Sequence, residues 1–233
     1  LNVILSGEGG DEFFGGYGRY RSAMRWRIFG GRPMRAKGMF DGLGVLRDES
    51  TGWRSGIAAS EKTEGSMSRT RLQVAQAVDI ADWLPNDLLN KLDRCLMAHG
   101  IEGRVPFIDP VLADFAFRLP NSLKVRKRLG KILLRKWLDK SLSEAEPFAR
   151  KKGFTVPVAD WIGAKGDRIG AMVAASPGVV EICDQDRVKG LFASCSSKQH
   201  GQAAWSLLFY ALWHRRHIQG ILPEGDVFDV LGG

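Results

Sequence analysis

The twenty residues LNVILSGEGGDEFFGGYGRY, Leu1 to Tyr20, change character twice and bring three carboxylates to the point of change. Asn2-Val3-Ile4-Leu5 is an apolar, β-rich run that Gly7, Gly9 and Gly10 break, which predicts a buried strand ending in a tight loop. From Asp11 onward Phe13, Tyr17, Tyr20, Met24 and Ile28 recur at helical spacing, with Asp11 as N-cap and Glu12 in the first turn. Strand, glycine loop, helix is the order in which α/β proteins offer backbone N–H groups and a helix N-terminus to anions. Glu8, Asp11 and Glu12 would repel a bare phosphate. Either a cation lies between carboxylate and phosphate, or a carboxylate works as a base. Mg2+ suits the first case, because it takes one or two carboxylates plus substrate phosphates. The alternative is a capped helix whose acids merely complement its dipole.

Outward from that stretch, the 233 residues, 44% hydrophobic and 26% charged, suffice for one sizeable core with a small appended lobe. No run approaches the ~20 apolar residues of a membrane span and no charged-then-apolar leader opens the sequence, so a cytoplasmic globular protein with no membrane partner is expected. Cys95, Cys183 and Cys195 are too scattered for a disulfide framework and lack metal-ligand spacing, and read as buried or idle thiols. An apolar strand beginning at Leu1 has nothing to pair with, which predicts a fragment whose sheet lies mostly upstream. The net charge of +8 is uneven. Arg19, Arg21, Arg25, Arg27, Arg32, Arg35 and Lys37 surround Tyr20, Trp26 and Phe29, a mixture compatible with nucleic acid but also with a solvated helix face.

Gly38 to Thr70 is rich in Gly, Ser and Thr and reads as loops with short helical pieces. Pro85-Asn86-Asp87 then reads as a turn and cap, and Leu88, Leu89, Leu92, Cys95 and Leu96 as the apolar stripe of a helix ending at Gly100. Glu102 and Arg104 follow inside an apolar segment, where charges need partners and a structural ion pair is one solution. Asp109-Pro110 reads as N-cap and first residue of a helix carrying Val111, Leu112, Phe115, Ala116 and Leu119 up to Pro120. Lys124, Arg126, Lys127, Arg128, Lys131, Arg135 and Lys136 form the densest basic stretch, read mostly as solvated surface opposite the apolar face of Ile132, Leu133 and Trp137. Gly163 to Ser197 reads as short helices broken by Gly166, Gly170, Pro177 and Gly190, and Gln202 to His217 as one long helix with Ala204, Trp205, Leu208, Ala211 and Leu212 inward. His214 and His217 lack a third ligand and read as a basic helix end. Ile221 onward reads as a loose acidic tail.

In order, SGEGGDEFFGGYGRY, LPNDLLNKLDRCLMAHGIEGRVPFIDP, GKILLRKWL and RKKGFTVPVADWI resemble the motifs of the synthetase domain of glutamine-hydrolysing asparagine synthetases. Four ordered blocks between Leu1 and Ile162 are far more specific than one glycine loop. The resemblance implies an α/β parent fold, adenine nucleotide alpha-hydrolase-like and of the PP-loop ATP pyrophosphatase type. This chain would be its mostly α-helical part, with one or two strands near the N-terminus. Residues 1–162 would be the C-terminal part of the synthetase domain, 163–220 a helical extension and 221–233 a tail. The implied chemistry activates the aspartate side-chain carboxylate with ATP and Mg2+, giving an acyl-adenylate and pyrophosphate. Ammonia, made from glutamine by a separate N-terminal glutaminase domain, then displaces AMP. By the same resemblance Glu8 is the candidate general base for ammonia, Asp11 the Mg2+ and pyrophosphate ligand, and Ser6, Gly7 and Gly9 parts of the ATP and pyrophosphate-binding loop. Lys151 resembles the lysine that neutralises phosphate charge during adenylation, with Lys152 its one-residue rival, and Glu102 and Arg104 take supporting places.

Against the family pattern, the chain has no N-terminal cysteine nucleophile, no glutaminase segment and no SGGxDS pyrophosphate loop. The resemblance therefore implies a fragment that is inactive alone and needs upstream sequence. Two other readings stay open. One is a related amidotransferase acting on a sugar, peptide or other carboxylate, or a β-lactam synthetase relative, although β-lactam formers resemble a different residue at the position of Glu8. The other is a basic, non-catalytic nucleic-acid-binding module with steeply salt-dependent binding, against which the acidic loop counts.

Overall fold

The computed structural model describes residues 2–35, 37–49, 52–149 and 156–232. They divide into two compact units, Leu1–Ala36 with Gly52–Lys151, and Lys37–Thr51 with Lys152–Gly233. In the first unit strand β1 (Val3–Leu5) leads through the glycine loop into helices α1 (Gly10–Phe14) and α2 (Gly18–Met24). There follow α3 (Gly52–Ser66), α4 (Arg71–Val78), a π-helical stretch Asp79–Leu89, α5 (Asn90–Met97), strand β2 (Glu102–Arg104), α6 (Pro110–Arg118), α7 (Asn121–Lys124) and α8 (Ile132–Ser141). Among the described residues helices dominate, as expected, with one short parallel sheet.

β1 and β2 pair in parallel, Val3 opposite Glu102, Ile4 opposite Gly103 and Leu5 opposite Arg104. The expected burial of β1 is not met, since Val3 is 45% and Leu5 73% exposed. The alternation of a strand explains the difference. Ile4 and Gly103 lie toward α5, where a Cβ on Gly103 would come 2.8 Å from Leu96, while Val3, Leu5, Glu102 and Arg104 share the open face.

The helix expected from Asp11 starts one residue earlier, with Gly9 at its N-cap in the left-handed region (φ 85°). It also stops after five residues at Gly15 (φ 74°), so the helical spacing from Phe13 to Ile28 is shared among α1, α2 and a 3-10 turn at Arg27–Phe29. Pro85 does not end a helix. The chain stays helical from Arg71 to Met97, and the proline sits within the π stretch. The wider π turn accommodates a residue that lacks an N–H and crowds the carbonyl four residues back. Upstream, Thr70 and Gln73 cap α4 reciprocally.

The fifteen-residue α3 lies where loops with only short helical pieces were expected. Its Gly, Ser and Thr content is weak for a helix, but Ile57 packs on the cluster of Tyr20, Met34 and Leu72, Arg54 pairs with Glu61 at 2.7 Å, and Glu61 accepts the Met34 N–H. Tertiary contacts override propensity here. α6 begins as its sequence predicts, with the Asp109 carboxylate accepting from the N–H groups of Val111 and Leu112. Its stripe is only partly inward: Ala116 is buried, whereas Val111 and Phe115 are exposed. Cys95 is also exposed.

The second unit contains α9 (Val158–Gly163), α10 (Gly166–Ala175), α11 (Pro177–Ile182), α12 (Gln185–Ala193), α13 (Lys198–His217) and α14 (Val227–Gly232) around Val173, Val188, Phe192, Ala204, Leu207 and Ala211. Gly166 opens α10 and Pro177 opens α11, while Gly170 and Gly190 lie inside helices and do not break them. A Cβ on Gly170 would lie 2.7 Å from that of Phe192, so the glycine permits close approach of α10 and α12. The long helix forms as expected, with Ala204, Leu208 and Ala211 buried but Trp205 exposed. The tail is not loose throughout: α14 buries Leu231 in the same core. The 37–51 segment joins this unit through backbone bonds, Asp184 N–H to Val45 O and Arg47 N–H to Ile182 O, each 2.9 Å. Among the described residues no helix is long and apolar enough to cross a membrane. Leu207→Ala is expected to lower the unfolding free energy by about 2–5 kcal/mol in denaturant titration, the range for deleting a buried leucine side chain.

Candidate active site

The first strand delivers the acidic turn. Past Leu5, the ladder gains one more bond, Ser6 N–H to Arg104 O at 2.8 Å, so the turn starts from a fixed point on β2. The Ser6 hydroxyl donates to a carboxylate oxygen of Glu8. Gly10 N–H then bonds to Gly7 O and Phe13 N–H to Gly9 O, closing the turn into α1. Gly9 needs its missing side chain as well as its positive φ, because a Cβ there would come 2.8 Å from Ile108. Ser6, Gly7, Glu8, Gly9 and Asp11 thus form one continuous turn at the carboxyl end of a parallel strand.

The three acids part company within it. Asp11 stays on the accessible side and pairs with Lys131, Oδ2 to Nζ 3.1 Å. Glu12 turns inward and is 1% exposed. There the Tyr17 hydroxyl donates to its Oε1 at 2.6 Å, and its Oε2 has no hydrogen-bond partner among the described residues. Burial pushes the Glu12 carboxyl above the usual carboxylate range, and the Tyr17 phenol is pushed up by burial and by its bond to Glu12. Glu12 therefore belongs to the interior, and the accessible acids are Glu8 and Asp11.

Lys131 is the residue that sequence reasoning passed over as solvated surface. It stands at the N-cap of α8 with φ 56°, a conformation that costs a side-chain-bearing residue about 1–2 kcal/mol. In that conformation its backbone N–H reaches Phe14 O at 3.0 Å while its ammonium reaches Asp11. A strained lysine gripping both ends of α1 is a mark of function more than of surface. The one local signal was the Gly130-Lys131 pair opening an apolar helix.

Glu102 and Arg104 form the structural ion pair that local reading allowed, 2.9 Å apart on the open face of the sheet. Both are exposed, so the pair itself adds little to stability. Arg104 serves the turn through its carbonyl. Lys151 and Lys152 lie outside the described residues. The basic run after Arg19 is not a free cationic face: Arg19 bonds to buried Asp79 at 2.9 Å, and Arg35 pairs with Asp82 at 2.7 Å. Arg71 lies over the Trp26 ring and donates to Arg25 O. This weakens the nucleic-acid reading.

Among the described residues no three His, Cys, Asp or Glu side chains gather as a metal cage. The donor set, one accessible Asp11 carboxylate with Glu8 in the same turn, fits a cation that arrives with phosphates, since Mg2+ keeps few protein ligands. Gly16 controls this geometry, because a Cβ there would overlap Asp11 Oδ1 and lie 2.6 Å from the Lys131 stem. Gly16→Ala is expected to open the Asp11–Lys131 pair at a cost of about 1 kcal/mol. In denaturant titration it should cost clearly less in an Asp11→Ala background, where only the flexible Lys131 stem has to move; fully additive losses would contradict the assignment.

The asparagine synthase family profile matches residues 1–215. Asparagine synthetase [glutamine-hydrolyzing] 1 of Bacillus subtilis is 28% identical over 265 residues, covering 96% of this chain and 42% of that protein. A putative asparagine synthetase [glutamine-hydrolyzing] of Mycobacterium tuberculosis is 27% identical, covering 96% of this chain and 41% of that protein. Asparagine synthetase [glutamine-hydrolyzing] 3 of Bacillus subtilis is 28% identical over 182 residues, 69% of this chain and 28% of its own length. The chain therefore spans less than half the length of these relatives. No solved structure matches it. With its acidic turn at the end of a parallel strand, this chain belongs to the asparagine synthase family.

Proposed function

We propose that the chain is the C-terminal part of an ATP-dependent synthetase that adenylates the side-chain carboxylate of aspartate and transfers the acyl group to ammonia, making asparagine. The observation that carries this reading is the turn Ser6 to Asp11, with its two accessible acids and the Lys131 ammonium 3.1 Å from Asp11, in a chain of this family. The parent fold is an adenine nucleotide alpha-hydrolase-like domain of the PP-loop type, whose SGGxDS loop and glutaminase domain lie upstream in the whole protein. The protein works in the cytoplasm on small molecules.

In the first step a carboxylate oxygen of aspartate attacks the α-phosphorus of ATP, and the α–β anhydride bond breaks with its electron pair leaving on pyrophosphate. Asp11 would hold the Mg2+ that travels with the phosphates and supplies charge neutralisation. Lys131, already placed beside Asp11, meets the negative charge that develops on the leaving group, and Lys151 or Lys152 does so at the α-phosphate. Fixed cations aimed at developing charge stabilise a transition state most in a site shielded from water. In the second step ammonia attacks the acyl carbon, the C–O bond breaks and AMP departs with the electron pair. Glu8 takes the proton from the incoming nitrogen, and its bond from Ser6 Oγ orients it for that transfer.

In the whole protein, aspartate-dependent ATP–pyrophosphate exchange should require Mg2+ and fall sharply in Asp11→Asn. Glu8→Gln should retain exchange within about threefold while amide formation drops roughly 10²–10⁴-fold, the usual contribution of a general base. Equal loss of both steps in Glu8→Gln would contradict its role, and the absence of exchange with aspartate in the parent protein would overturn the reading.

A further inference from the structure

Two polar side chains that none of this chemistry uses are completely buried at the far end of α1 from Glu8: Gln76 of α4 and Lys124 of α7, both 0% exposed. Their partners explain their burial. A five-residue helix can satisfy few of its own carbonyls. Asp11 O accepts from Gly15 and Gly16, and the next three carbonyls, those of Glu12, Phe13 and Phe14, lie past the last donor α1 supplies. Gln76 Nε2 donates to Glu12 O and, at 2.8 Å, to Phe13 O. Lys131 N–H takes the third, Phe14 O.

The amide of Gln76 has a fixed sense because Lys124 fixes it. Lys124 Nζ donates to Gln76 Oε1 at 3.0 Å and to Phe117 O at 2.8 Å, and lies 5.3 Å from the centre of the Phe117 ring. With Oε1 facing an ammonium, Nε2 must face the carbonyls. A cation behind the C-terminal end of a helix also complements its partial negative charge. Burial draws the Lys124 amine down to about 8, and at neutral pH the ammonium remains the main form. The backbone leaves little room for any other arrangement: a Cβ on Gly15 would come 2.7 Å from Val125, and one on Gly130 would overlap Gly15 O.

We infer that Gln76 and Lys124 are positioning residues, a buried clamp on the C-terminal carbonyls of α1 that sets where Asp11 meets Lys131 and the phosphates. Its catalytic consequence rests on the function proposed above; the clamp itself does not. Among the described residues, the hydrogen bonds of Gln76 run to two backbone carbonyls and to Lys124, none of them to a carboxylate of the turn. It acts through the backbone, so its effect should appear in the Mg2+ and ATP dependence of the enzyme and leave the affinity for aspartate alone.

Gln76→Glu tests this in the whole protein. It keeps the volume and an acceptor for Lys124 while removing both carbonyl donors. Lys124→Met, which frees the amide to turn, is the second variant should the first not fold. Hydrogen–deuterium exchange at residues 10–16 should quicken at least tenfold in either variant, with α13 as protected as in the parent. The half-saturating Mg2+–ATP concentration in pyrophosphate exchange should rise about tenfold, with KM for aspartate changed less than threefold. Unchanged protection at 10–16 would overturn the clamp whatever reaction the protein catalyses. Faster amide exchange with unchanged Mg2+–ATP dependence, or an equal rise in KM for aspartate, would overturn its positioning role. A parent protein without aspartate-dependent exchange would sink the proposed function, and amide exchange would still decide the clamp.

Discussion

A helix of five residues cannot hold itself together in water. α1 persists because three donors from elsewhere in its unit, the Gln76 amide twice and the Lys131 N–H once, take the carbonyls it cannot satisfy. Everything of chemical interest in the first unit depends on that arrangement. The strand β1 fixes where the turn begins, through Ser6 N–H on Arg104 O, and the capped carbonyls fix where it ends. Between these two points Glu8 and Asp11 have few places to go. Glu12, in the same first turn, is spent on the interior with Tyr17, which reduces the negative charge that a phosphate would face from three carboxylates to two.

Charge in this unit is organised by burial more than by number. The net +8 suggests an electropositive surface, yet Arg19 and Arg35 pair with acids of the π stretch, Lys124 is sealed behind α1, and Lys131 is committed to Asp11. Burying the Lys124 ammonium carries a desolvation cost, seen in the lowered pKa of its amine, that the bonds to Gln76 and Phe117 offset in part, and removing an acceptor leaves that charge uncompensated. That asymmetry makes Gln76 and Lys124 a matched pair. Among the described residues the second unit buries Ser176 and Arg215 as its polar groups, around a centre of Val173, Val188, Phe192 and Leu207 with glycines permitting close helix contact.

What could be read from the sequence was what depends on neighbours along the chain. The strand at Val3–Leu5, the turn after it, the Asp109 cap and the long helix through His217 all follow local pattern and were anticipated. α3 and the uninterrupted helix through Pro85 were not, since Tyr20, Met34 and Leu72 hold Ile57 and Glu61 of the first from outside and π winding accommodates the proline in the second. In the candidate site the turn from Ser6 to Asp11 was legible as a turn because its residues are consecutive, although its helix is capped at Gly9 and not at Asp11. Lys131, Gln76 and Lys124 were illegible because Gln76 and Lys131 reach α1 from 63 or more residues along the chain, through backbone carbonyls that every sequence shares, and Lys124 acts through Gln76, 48 residues away. Glu12 was misread as part of the anion-facing set, because its inward turn depends on Tyr17 and on the early end of α1 at Gly15.

Attack of a carboxylate on the α-phosphorus of ATP moves a carboxylate oxygen onto AMP, and that oxygen can be followed. The whole protein is supplied with ATP, Mg2+, ammonia and aspartate labelled with 18O in its side-chain carboxylate, and the nucleotide products are weighed by mass spectrometry. If the turn serves this attack, each AMP formed carries one 18O atom. ADP as the product, or AMP without label, would contradict it.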